Sequence, residues 1–411
     1  MSNKKSHIEE SDNASSEDTY DKDTSEDISA NTSENFSEES CNACELVATL
    51  DNDFSDTGSS DTGSSEIEMS DDDIPENEPL SEMHEAHDLE RIPRNVDVKK
   101  RFEDHYRELL KDDYDKFMNY SLSYIRKCIR VNTLKSNVDD IKKRLEEKWI
   151  LEDIPWCKEG FWIKYREGKR FDLGNLIEHH LGYVYVQESA SMIPPIVLNC
   201  EPEELVLDMC AAPGSKTSQI AMYMENNGLL IANDVSGMRL KALGMNLQRC
   251  GVRNAVMTMM QEHRFKRLLD ENSDFRFDKI LVDAPCSGTG TIRKSLRTIR
   301  EWNPSAITKL SKIQKNLIDI AFQMLKSGGI LVYSTCTIEP EENESVISYL
   351  LDKYPNAELC DIDSEKLGIV RTPAITKFQD LKINPEVAKC LRLHPYDNNT
   401  EGFFVTKIRK N

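Results

Sequence analysis

The stretch 205–217, LVLDMCAAPGSKT, constrains the fold more than any other part of the sequence. A short apolar run meets the acid Asp208, and a turn of small residues then leads into a helical pattern at Lys216. An apolar strand that feeds a glycine-containing turn and a helix is typical of α/β sheets that bind a nucleotide-like ligand. The stretch lacks the complete glycine patterns of dinucleotide and triphosphate sites. Taken alone, it is also compatible with an ordinary buried strand and turn.

Strand and helix patterns alternate from residue 205 onward. The predicted strands are 205–210, 229–235, 254–260, 278–285, 329–336, 357–362 and 402–408. The predicted helices are 216–225, 237–250, 304–326 and 340–352. Near-continuous apolar strands between helices predict an α/β fold with a doubly wound, mostly parallel sheet. The strand at 402–408 follows a long irregular connection and is the candidate for an antiparallel strand.

Charge is divided unevenly along the chain. Residues 1–90 hold 28 Asp and Glu against 3 Lys and Arg, a net charge of −25, whereas residues 91–411 hold 45 against 49, a net charge of +4. The first segment has too few large apolar residues to offset its ordering entropy, so we expect a disordered acidic tail. The mildly basic remainder is compatible with a nucleic-acid partner without requiring one.

Residues 91–200 predict a small α+β accessory domain. Its expected elements are a helix over 98–110, a strand at 129–135, a helix at 138–145, a strand pair that turns around 158–160, and a chain break at Pro194-Pro195. The cations Arg126, Lys127, Arg130 and Lys135 are expected to be exposed. They could contact phosphates, or they could form the charged face of a packing domain.

Three predicted strands end in residues that suit group transfer. The strand at 229–235 ends at Asp234, an acid placed to accept hydrogen bonds from ribose hydroxyls. The strand at 278–285 ends around Asp283 and is followed at once by Cys286, and the strand at 329–336 ends in Cys336. A single Cys at a strand end is usually a small buried hydrophobe. Two of them at neighbouring strand ends, one beside an Asp, predict a thiolate nucleophile at a shared ligand crevice.

The cysteine content and the hydropathy of the sequence argue against a disulfide-rich protein, a zinc protein and a membrane protein. The 11 Cys residues are scattered and odd in number, which favours a reducing intracellular compartment over a disulfide framework. The single C-x-x-C at 41–44 lacks partners for a zinc site, so no metal is expected. The sequence shows no apolar run of about 18 residues and no signal-peptide core at its start, so no membrane partner is expected.

Three motifs in order carry a family resemblance: DMCAAPGSKT, DAPCSGTG and YSTCTIEPEEN. Together they resemble the Sun/Nop (RsmB-like) family of RNA cytosine-5 methyltransferases. The similarity covers roughly residues 98–410, since IRVNTLK, LGYVYVQESASMIPP and GFFVTKIRK also match that pattern. The resemblance implies a class I, Rossmann-like methyltransferase domain at 201–411, S-adenosyl-L-methionine as cofactor and RNA as substrate. The accessory domain at 91–200 would then bind the RNA.

The resemblance also implies roles for individual residues. Cys336 matches the nucleophile that adds to carbon 6 of cytosine, and Cys286 the second Cys that assists release of the adduct. Asp283 matches the acid that holds the base near ring nitrogen 3. The implied cofactor-binding residues are Asp208, Cys210, Ala211, Ala212, Pro213, Gly214, Ser215, Lys216, Asp234 and Asp283.

The chain departs from the family pattern after the third strand. The family usually has an Asp there that contacts the adenine amino group, and this chain has Gln261. The side-chain carbonyl of a Gln could accept the same hydrogen bond without the negative charge, so we predict that Gln261 contacts the cofactor. The pair His179-His180 is a candidate for the catalytic base. An isolated His pair without a neighbouring carboxylate, however, is more often structural or on the surface.

Two other functions compete with RNA methylation. A ribosome-assembly or RNA-binding factor would need neither Cys286 nor Cys336, and a DNA cytosine methyltransferase would use the Cys of its PC motif as the nucleophile. The substrate RNA is left open between tRNA and rRNA. The acidic tail favours the nucleus, and within it the nucleolus, with the cytoplasm as the alternative. We expect a monomer whose acidic tail contacts basic proteins.

Overall fold

The computed structural model describes residues 97–168, 172–271 and 275–411. The acidic tail expected at 1–90 and the C-x-x-C at 41–44 lie outside the described residues. Within the described ranges, no helix has the length and apolar character needed to cross a membrane.

The first part of the described chain forms a small antiparallel sheet with helices. Its elements are α1 (Lys100–Leu110), α2 (Tyr114–Ser121), β1 (Cys128–Val131), α3 (Val138–Glu146), β2 (Trp149–Ile154), β3 (Cys157–Tyr165), α4 (Ile177–His180), β4 (Val184–Val186) and α5 (Ile193–Leu198). The strand order is β2-β3-β1-β4, and every pair is antiparallel. The mixture of helices and strands agrees with the α+β prediction.

Two local predictions in this part were wrong, and both concern Gly or Pro. The hairpin turns at Pro155-Trp156, and Gly160 lies inside β3 opposite Arg130 of β1. Gly160 leaves room for the Met192 side chain, whose sulfur would lie 2.9 Å from an added Cβ. Pro194-Pro195 does not break the chain but occupies the first turn of α5, where a missing N–H costs no helical hydrogen bond.

The expected exposed cation cluster is also only partly present. Arg130 is fully buried, because β1 is an inner strand and this residue points towards the second sheet. The Arg126 guanidinium stacks 3.6 Å from the centre of the Trp162 ring. Lys127 and Lys135 are exposed, and the Lys135 ammonium donates to the Arg249 carbonyl at 3.1 Å. A phosphate-binding role is therefore left to fewer side chains than the sequence suggested.

The second part of the chain forms the large sheet. Its elements are β5 (Leu205–Asp208), α6 (Ser215–Tyr223), β6 (Leu229–Asn233), α7 (Gly237–Cys250), β7 (Ala255–Thr258), α8 (Glu262–Glu271), β8 (Phe277–Asp283), α9 (Arg297–Glu301), α10 (Pro304–Met324), β9 (Leu325–Thr335), α11 (Glu344–Lys353), β10 (Ala357–Cys360), β11 (Leu391–Leu393), α12 (Pro395–Asn398) and β12 (Phe403–Lys410). The strand order is β7-β6-β5-β8-β9-β12-β10, and β11 also pairs with β12.

The predicted doubly wound sheet is confirmed. The five strands β5 to β9 run parallel, and β12 is antiparallel to both β9 and β10. The helix α8 and the strand β11 were not predicted, and α11 begins at Glu344 rather than at residue 340. The EPEEN segment therefore lies between β9 and α11, where its side chains can reach the strand ends.

Both faces of the large sheet are covered, which explains its near-continuous apolar strands. Residues along the central strands alternate between two buried clusters, with Val206, Leu281 and Val332 in one and Leu207, Ile280 and Leu331 in the other. Helices α5 and α6 pack into the first cluster and α10 into the second. The carboxyl ends of β5, β6, β8 and β9 therefore open on one edge of a rigid core.

Candidate active site

Asp208 ends β5 and is buried beneath the turn that follows it. One carboxylate oxygen, Oδ2, accepts a hydrogen bond of 2.7 Å from the Thr217 hydroxyl. The other, Oδ1, is buried without a partner among the described residues. Burial raises the pKa of Asp208 to about 7. A buried acceptor with a free lone pair suits a ligand that brings its own donor.

The turn between β5 and α6 is held by its glycine conformation and by hydrogen bonds to its backbone. Gly214 has a φ of +107°, and an added Cβ would lie 2.9 Å from Leu243 Cδ1. Only glycine fits this conformation and this space without strain. The Asn246 side chain donates to the Pro213 carbonyl at 2.9 Å, and the amide of Ala211 donates to the Asn233 carbonyl at 2.7 Å. The small residues thus form a fixed cradle at the sheet edge.

Asp234 lies just after β6 and faces the same turn. Its Oδ2 accepts from the Ala212 amide at 3.3 Å, and its Oδ1 accepts from the Ser236 amide at 2.9 Å. The Arg239 guanidinium lies 3.4 Å from Asp234 and donates to the Ala212 carbonyl at 2.7 Å. Cys210 is half-buried in the same turn, and burial raises the pKa of its thiol, which keeps it neutral.

This cradle fits S-adenosylmethionine. It offers a buried Asp208 oxygen that has no partner among the described residues, a turn of small residues shaped by the left-handed Gly214, and an acid after the second strand. Gln261 lies before α8 and is exposed. Its backbone carbonyl accepts a hydrogen bond from the Arg264 amide. Its role as a cofactor contact stays a prediction.

The two candidate catalytic thiols meet at the ends of adjacent strands, as the sequence predicted. β8 and β9 are parallel neighbours, with Asp283 in register with Ser334. The Sγ atoms of Cys286 and Cys336 are 3.2 Å apart, and both residues are half-buried. The hydrogen bond to Cys336, followed by burial, raises the pKa of Cys286 well above its ordinary value.

Asp283 is held between two partners at this edge. Its Oδ2 lies 2.8 Å from the Lys216 ammonium, and its Oδ1 accepts from the Ser334 hydroxyl at 2.7 Å. Burial opposes the charge of Lys216, but the Asp283 carboxylate outweighs it and the pKa of Lys216 is raised. The ammonium also lies 5.5 Å from the centre of the Phe403 ring. Lys216 thus connects the turn 210–216 to Asp283 at the end of β8.

The loop after Cys286 packs tightly against the Cys336 backbone. The amide of Gly290 donates to the Cys336 carbonyl at 3.0 Å, and its carbonyl accepts from the Gly402 amide at 2.9 Å. An added Cβ at Gly290 would lie 2.7 Å from that Cys336 carbonyl oxygen. Ser287 and Thr337 join the same two loops through hydroxyls 2.8 Å apart. The distance between the two thiols is therefore fixed by the backbone beneath them.

Sequence reasoning missed two residues that support the site. Glu342, in the EPEEN segment, is fully buried and accepts from the Ser287 amide at 3.0 Å. Arg130 crosses from the small sheet and donates to the Ser215 carbonyl and to the Ser218 hydroxyl, each at 2.9 Å. A charged residue inside the apolar strand IRV was the available signal for Arg130.

The His pair does not form a catalytic group with the thiols. His179 is half-buried against Arg249, whose guanidinium donates to the His179 carbonyl at 2.7 Å, and His180 is exposed. Burial, followed by the charge of Arg249, lowers the pKa of His179 to about 4. Among the residues that the structure describes, no group of three His, Cys, Asp or Glu side chains is placed to hold a metal.

Comparison with protein families agrees with this site. Residues 195–409 match the family model described as 16S rRNA methyltransferase RsmB/F, and residues 98–189 match the N-terminal domain of 16S rRNA methyltransferase RsmF. A tRNA (cytosine(49)-C(5))-methyltransferase of Pyrococcus abyssi is 45% identical over 76% of this chain and 96% of its own length. Ribosomal RNA small subunit methyltransferase F of Aliivibrio salmonicida is 42% identical over 72% of this chain.

Solved structures give the same result. A methyltransferase homologue from Pyrococcus horikoshii matches with a TM-score of 0.67 and 36% identity, covering 77% of this chain and 96% of that one. NSun6 from the same organism, solved with SFG, matches with a TM-score of 0.65 and 25% identity, covering 76% and 98%. This chain spans only 60% of the Aliivibrio salmonicida protein. The chain belongs to the RsmB/F (Sun/Nop) family of S-adenosylmethionine-dependent RNA cytosine-C5 methyltransferases.

Proposed function

We propose that this protein methylates carbon 5 of a cytosine in tRNA, with Cys336 as the covalent nucleophile. The observation that carries the proposal is the 3.2 Å separation of the Cys286 and Cys336 sulfurs at the ends of adjacent strands. Asp283 lies in register with Ser334 on the same edge and pairs with Lys216 from the cofactor turn. A nucleophile, a second thiol and an acid are thus together beside a methyl-donor cradle.

S-adenosylmethionine supplies an electrophilic methyl group when it is bound. The residues that would hold it are Asp208, the turn 210–216 and Asp234, with Gln261 as a further candidate. Arg239 and Asn246 fix the turn from outside through the Ala212 and Pro213 carbonyls. The chain therefore contributes a preorganised site, and the energy of binding need not be spent on ordering the loop.

Cys336 performs the step that makes the cytosine reactive. Carbon 5 of cytosine is a poor nucleophile, but addition of the Cys336 thiolate to carbon 6 makes an enamine-like ring whose carbon 5 is electron-rich. Ring nitrogen 3 gains a proton, delivered through Asp283, as negative charge develops there during this addition, and the N–H so formed donates a hydrogen bond to the Asp283 carboxylate. The target base must leave its stack to reach these groups.

Release requires the bond between Cys336 and carbon 6 to break. A base removes the proton from carbon 5, the electron pair of that C–H bond forms the carbon 5–carbon 6 double bond, and the C–S pair leaves with Cys336 as thiolate. Cys286, 3.2 Å from the leaving sulfur, is placed to assist this elimination.

The preference for tRNA rests on the extent of the similarities. The Pyrococcus abyssi tRNA methyltransferase is matched over 96% of its length, while the Aliivibrio salmonicida rRNA methyltransferase is matched over 60%. Ribosomal RNA is the second candidate, favoured by the match of residues 98–189 to the N-terminal domain of 16S rRNA methyltransferase RsmF.

The test is methyl transfer by the purified full chain to tRNA and to small-subunit rRNA, followed by bisulfite sequencing of both. We expect new 5-methylcytosine in tRNA and none with Cys336→Ala. Methylation confined to rRNA would replace the tRNA proposal by the second candidate. Methylation that survives in Cys336→Ala and disappears in Cys286→Ala would contradict the assignment of the nucleophile.

We also propose where the protein is found in the cell and in which oligomeric state it occurs. The Ser-, Asp- and Glu-rich segment 1–90 supports a nuclear, and within it nucleolar, protein whose tail contacts basic proteins. We propose a monomer. Imaging of the tagged full chain and light scattering of the purified protein test these two points, and a cytoplasmic signal or a dimeric mass would contradict them.

A further inference from the structure

The side chain of Asn343 is hydrogen-bonded to the chain on both sides of Cys336. Its Oδ1 accepts a hydrogen bond of 2.6 Å from the Thr335 hydroxyl, and its Nδ2 donates to the Thr337 carbonyl at 2.9 Å. Thr335 directly precedes the candidate nucleophile, and Thr337 directly follows it. A single amide group therefore spans the turn that carries the Cys336 sulfur.

The residues that form this bridge are completely buried. Asn343, Thr335 and Thr337 have no exposed surface, so water does not compete for their hydrogen bonds. The Thr337 hydroxyl also lies 2.8 Å from the Thr289 hydroxyl, in the loop that follows Cys286. The turn can move only if buried hydrogen bonds break, which is costly where no water can replace them.

Asn343 occupies the N-cap of α11, where an Asn side chain ordinarily accepts a hydrogen bond from its own helix. This side chain makes no such bond, although the backbone carbonyl of Asn343 accepts from the Ile347 amide at 3.1 Å. Asn303, at the N-cap of α10, shows the ordinary arrangement, because its side-chain oxygen accepts from the Ser305 amide at 3.0 Å. The Asn343 side chain is instead committed to the Cys336 turn.

The residue after Asn343 is anchored by a buried ion pair. Arg392 of β11 donates to the two carboxylate oxygens of Glu344 at 2.8 and 2.6 Å, and both side chains are buried. A third nitrogen of the same guanidinium donates to the Ile338 carbonyl at 2.8 Å. Arg392 therefore ties the two ends of the segment 338–344 together. A group that positions another must itself be held, and this ion pair holds the chain at Asn343.

We propose that Asn343 is a positioning residue that fixes the Cys336 turn so that the sulfur faces carbon 6 of the target cytosine. The inference rests on the proposed function, in which Cys336 is the nucleophile. Formation of the carbon–sulfur bond requires the two atoms to be aligned at close range, and a misplacement of about 1 Å can lower a rate about 10²-fold. Asn343 does not touch the base in this scheme and acts through Cys336.

The experiment measures steady-state methyl transfer by the full chain to bulk tRNA and to small-subunit rRNA. Asn343→Leu keeps the approximate size of the side chain and removes both hydrogen bonds, so it should lower kcat about 10²-fold with an unchanged KM for RNA. Thr335→Val is isosteric and removes one of the two bonds, so it should lower kcat about tenfold. Thr335→Ser keeps the hydroxyl and should keep the native kcat. Calorimetric titration should give the native affinity for S-adenosylmethionine in all three variants.

Asn303→Leu is the matched control, because it makes the same change at an N-cap whose side chain bonds its own helix, and it should keep the native kcat. A native kcat in a folded Asn343→Leu, an equal loss in Thr335→Val and Thr335→Ser, or a loss confined to KM overturns the inference. Thermal unfolding shows whether each variant is folded, and the two Thr335 variants decide the matter if Asn343→Leu does not fold. The proposed function fails separately, if Cys336→Ala still methylates RNA.

Discussion

The guanidinium of Arg130, in the small sheet, donates a hydrogen bond of 2.9 Å to the backbone carbonyl of Ser215, the first residue of α6. A second nitrogen of the same group donates to the Ser218 hydroxyl at 2.9 Å. The Arg130 side chain is completely buried. The N-terminal sheet therefore holds the first turn of the helix that follows the cofactor cradle.

Replacement of Arg130 by Met should weaken cofactor binding. The change removes the charged donor from the Ser215 carbonyl and from the Ser218 hydroxyl, which keep their hydrogen bond to each other, and a hydrogen bond to a charged group contributes about 1.5–3 kcal/mol. We expect at least about a tenfold higher dissociation constant for S-adenosylmethionine, since about 1.4 kcal/mol is a factor of ten. Calorimetric titration measures it. Lys127→Met, which removes an exposed cation nearby, should bind normally, and equal affinities would contradict the role of Arg130.

Replacement of Cys286 by Ala should trap the covalent enzyme–RNA adduct. Under the proposed function, the variant keeps the nucleophile Cys336 and lacks the thiol 3.2 Å away that assists elimination. A denaturing gel with reactive RNA should show a shifted band for Cys286→Ala. The double variant that also lacks Cys336 should show none, and a band that persists in it would assign the covalent bond to another residue.

Replacement of Asp283 by Asn should lower kcat with little change in KM. The variant keeps the size of the side chain and removes the negative charge that pairs with Lys216 and that, under the proposed function, meets ring nitrogen 3. Loss of one transition-state hydrogen-bond partner costs about 10²–10³ in kcat. Steady-state methyl transfer measures both constants. Asp361→Asn, at an exposed position, is the control, and a purely KM effect would indicate substrate binding only.

Asp208 should make stability depend on pH. Burial raises its pKa to about 7 in the folded protein from an ordinary value of 3.8, so the folded state binds the proton more tightly. Stability relative to Asp208→Asn should therefore be lost as the pH rises from 4 to 7, by on the order of a few kcal/mol. Urea unfolding of both proteins at pH 4, 5.5 and 7 tests this. A constant difference between them would show that the carboxylate is already ionised when buried.

Replacement of Gly290 by Ala should damage the site through packing. An added Cβ would lie 2.7 Å from the Cys336 carbonyl oxygen, so the loops that carry the two thiols must separate. Overpacking of this kind costs about 1–3 kcal/mol. Activity and urea unfolding should both decline. Gly174→Ala, where an added Cβ meets nothing within 4 Å, should leave both unchanged, and an active, fully stable Gly290→Ala would contradict the tight fit.

The sequence was most informative where local pattern and burial agree. Strands covered on both faces read as apolar runs, so β5, β8 and β9 and the residues at their ends could be located from the chain alone. Their pairing followed from the parallel alternation, which brought Cys286 to Cys336. These features depend on residues close together in sequence or on the topology of one sheet.

The sequence was least informative where a residue's role depends on distant partners. Arg130 looked like a surface cation because its partners Ser215 and Ser218 lie far along the chain. Gly160 looked like a turn residue because nothing local reveals the Met192 sulfur beside it. Glu342 was one acid among several in EPEEN, and only its approach to the Ser287 amide distinguishes it.

The position of β12 bears on how the protein is made. Although β12 follows both β9 and β10 along the chain, it lies between them in the sheet, and Gly402 at its start contacts Gly290 beneath the thiols. A ribosome delivers β9 well before β12, so a growing chain carries an open strand edge until residues 403–410 emerge. Such edges invite mispairing. Catalytic competence thus arrives late in synthesis, and a chaperone that shields β9 would protect the unfinished enzyme.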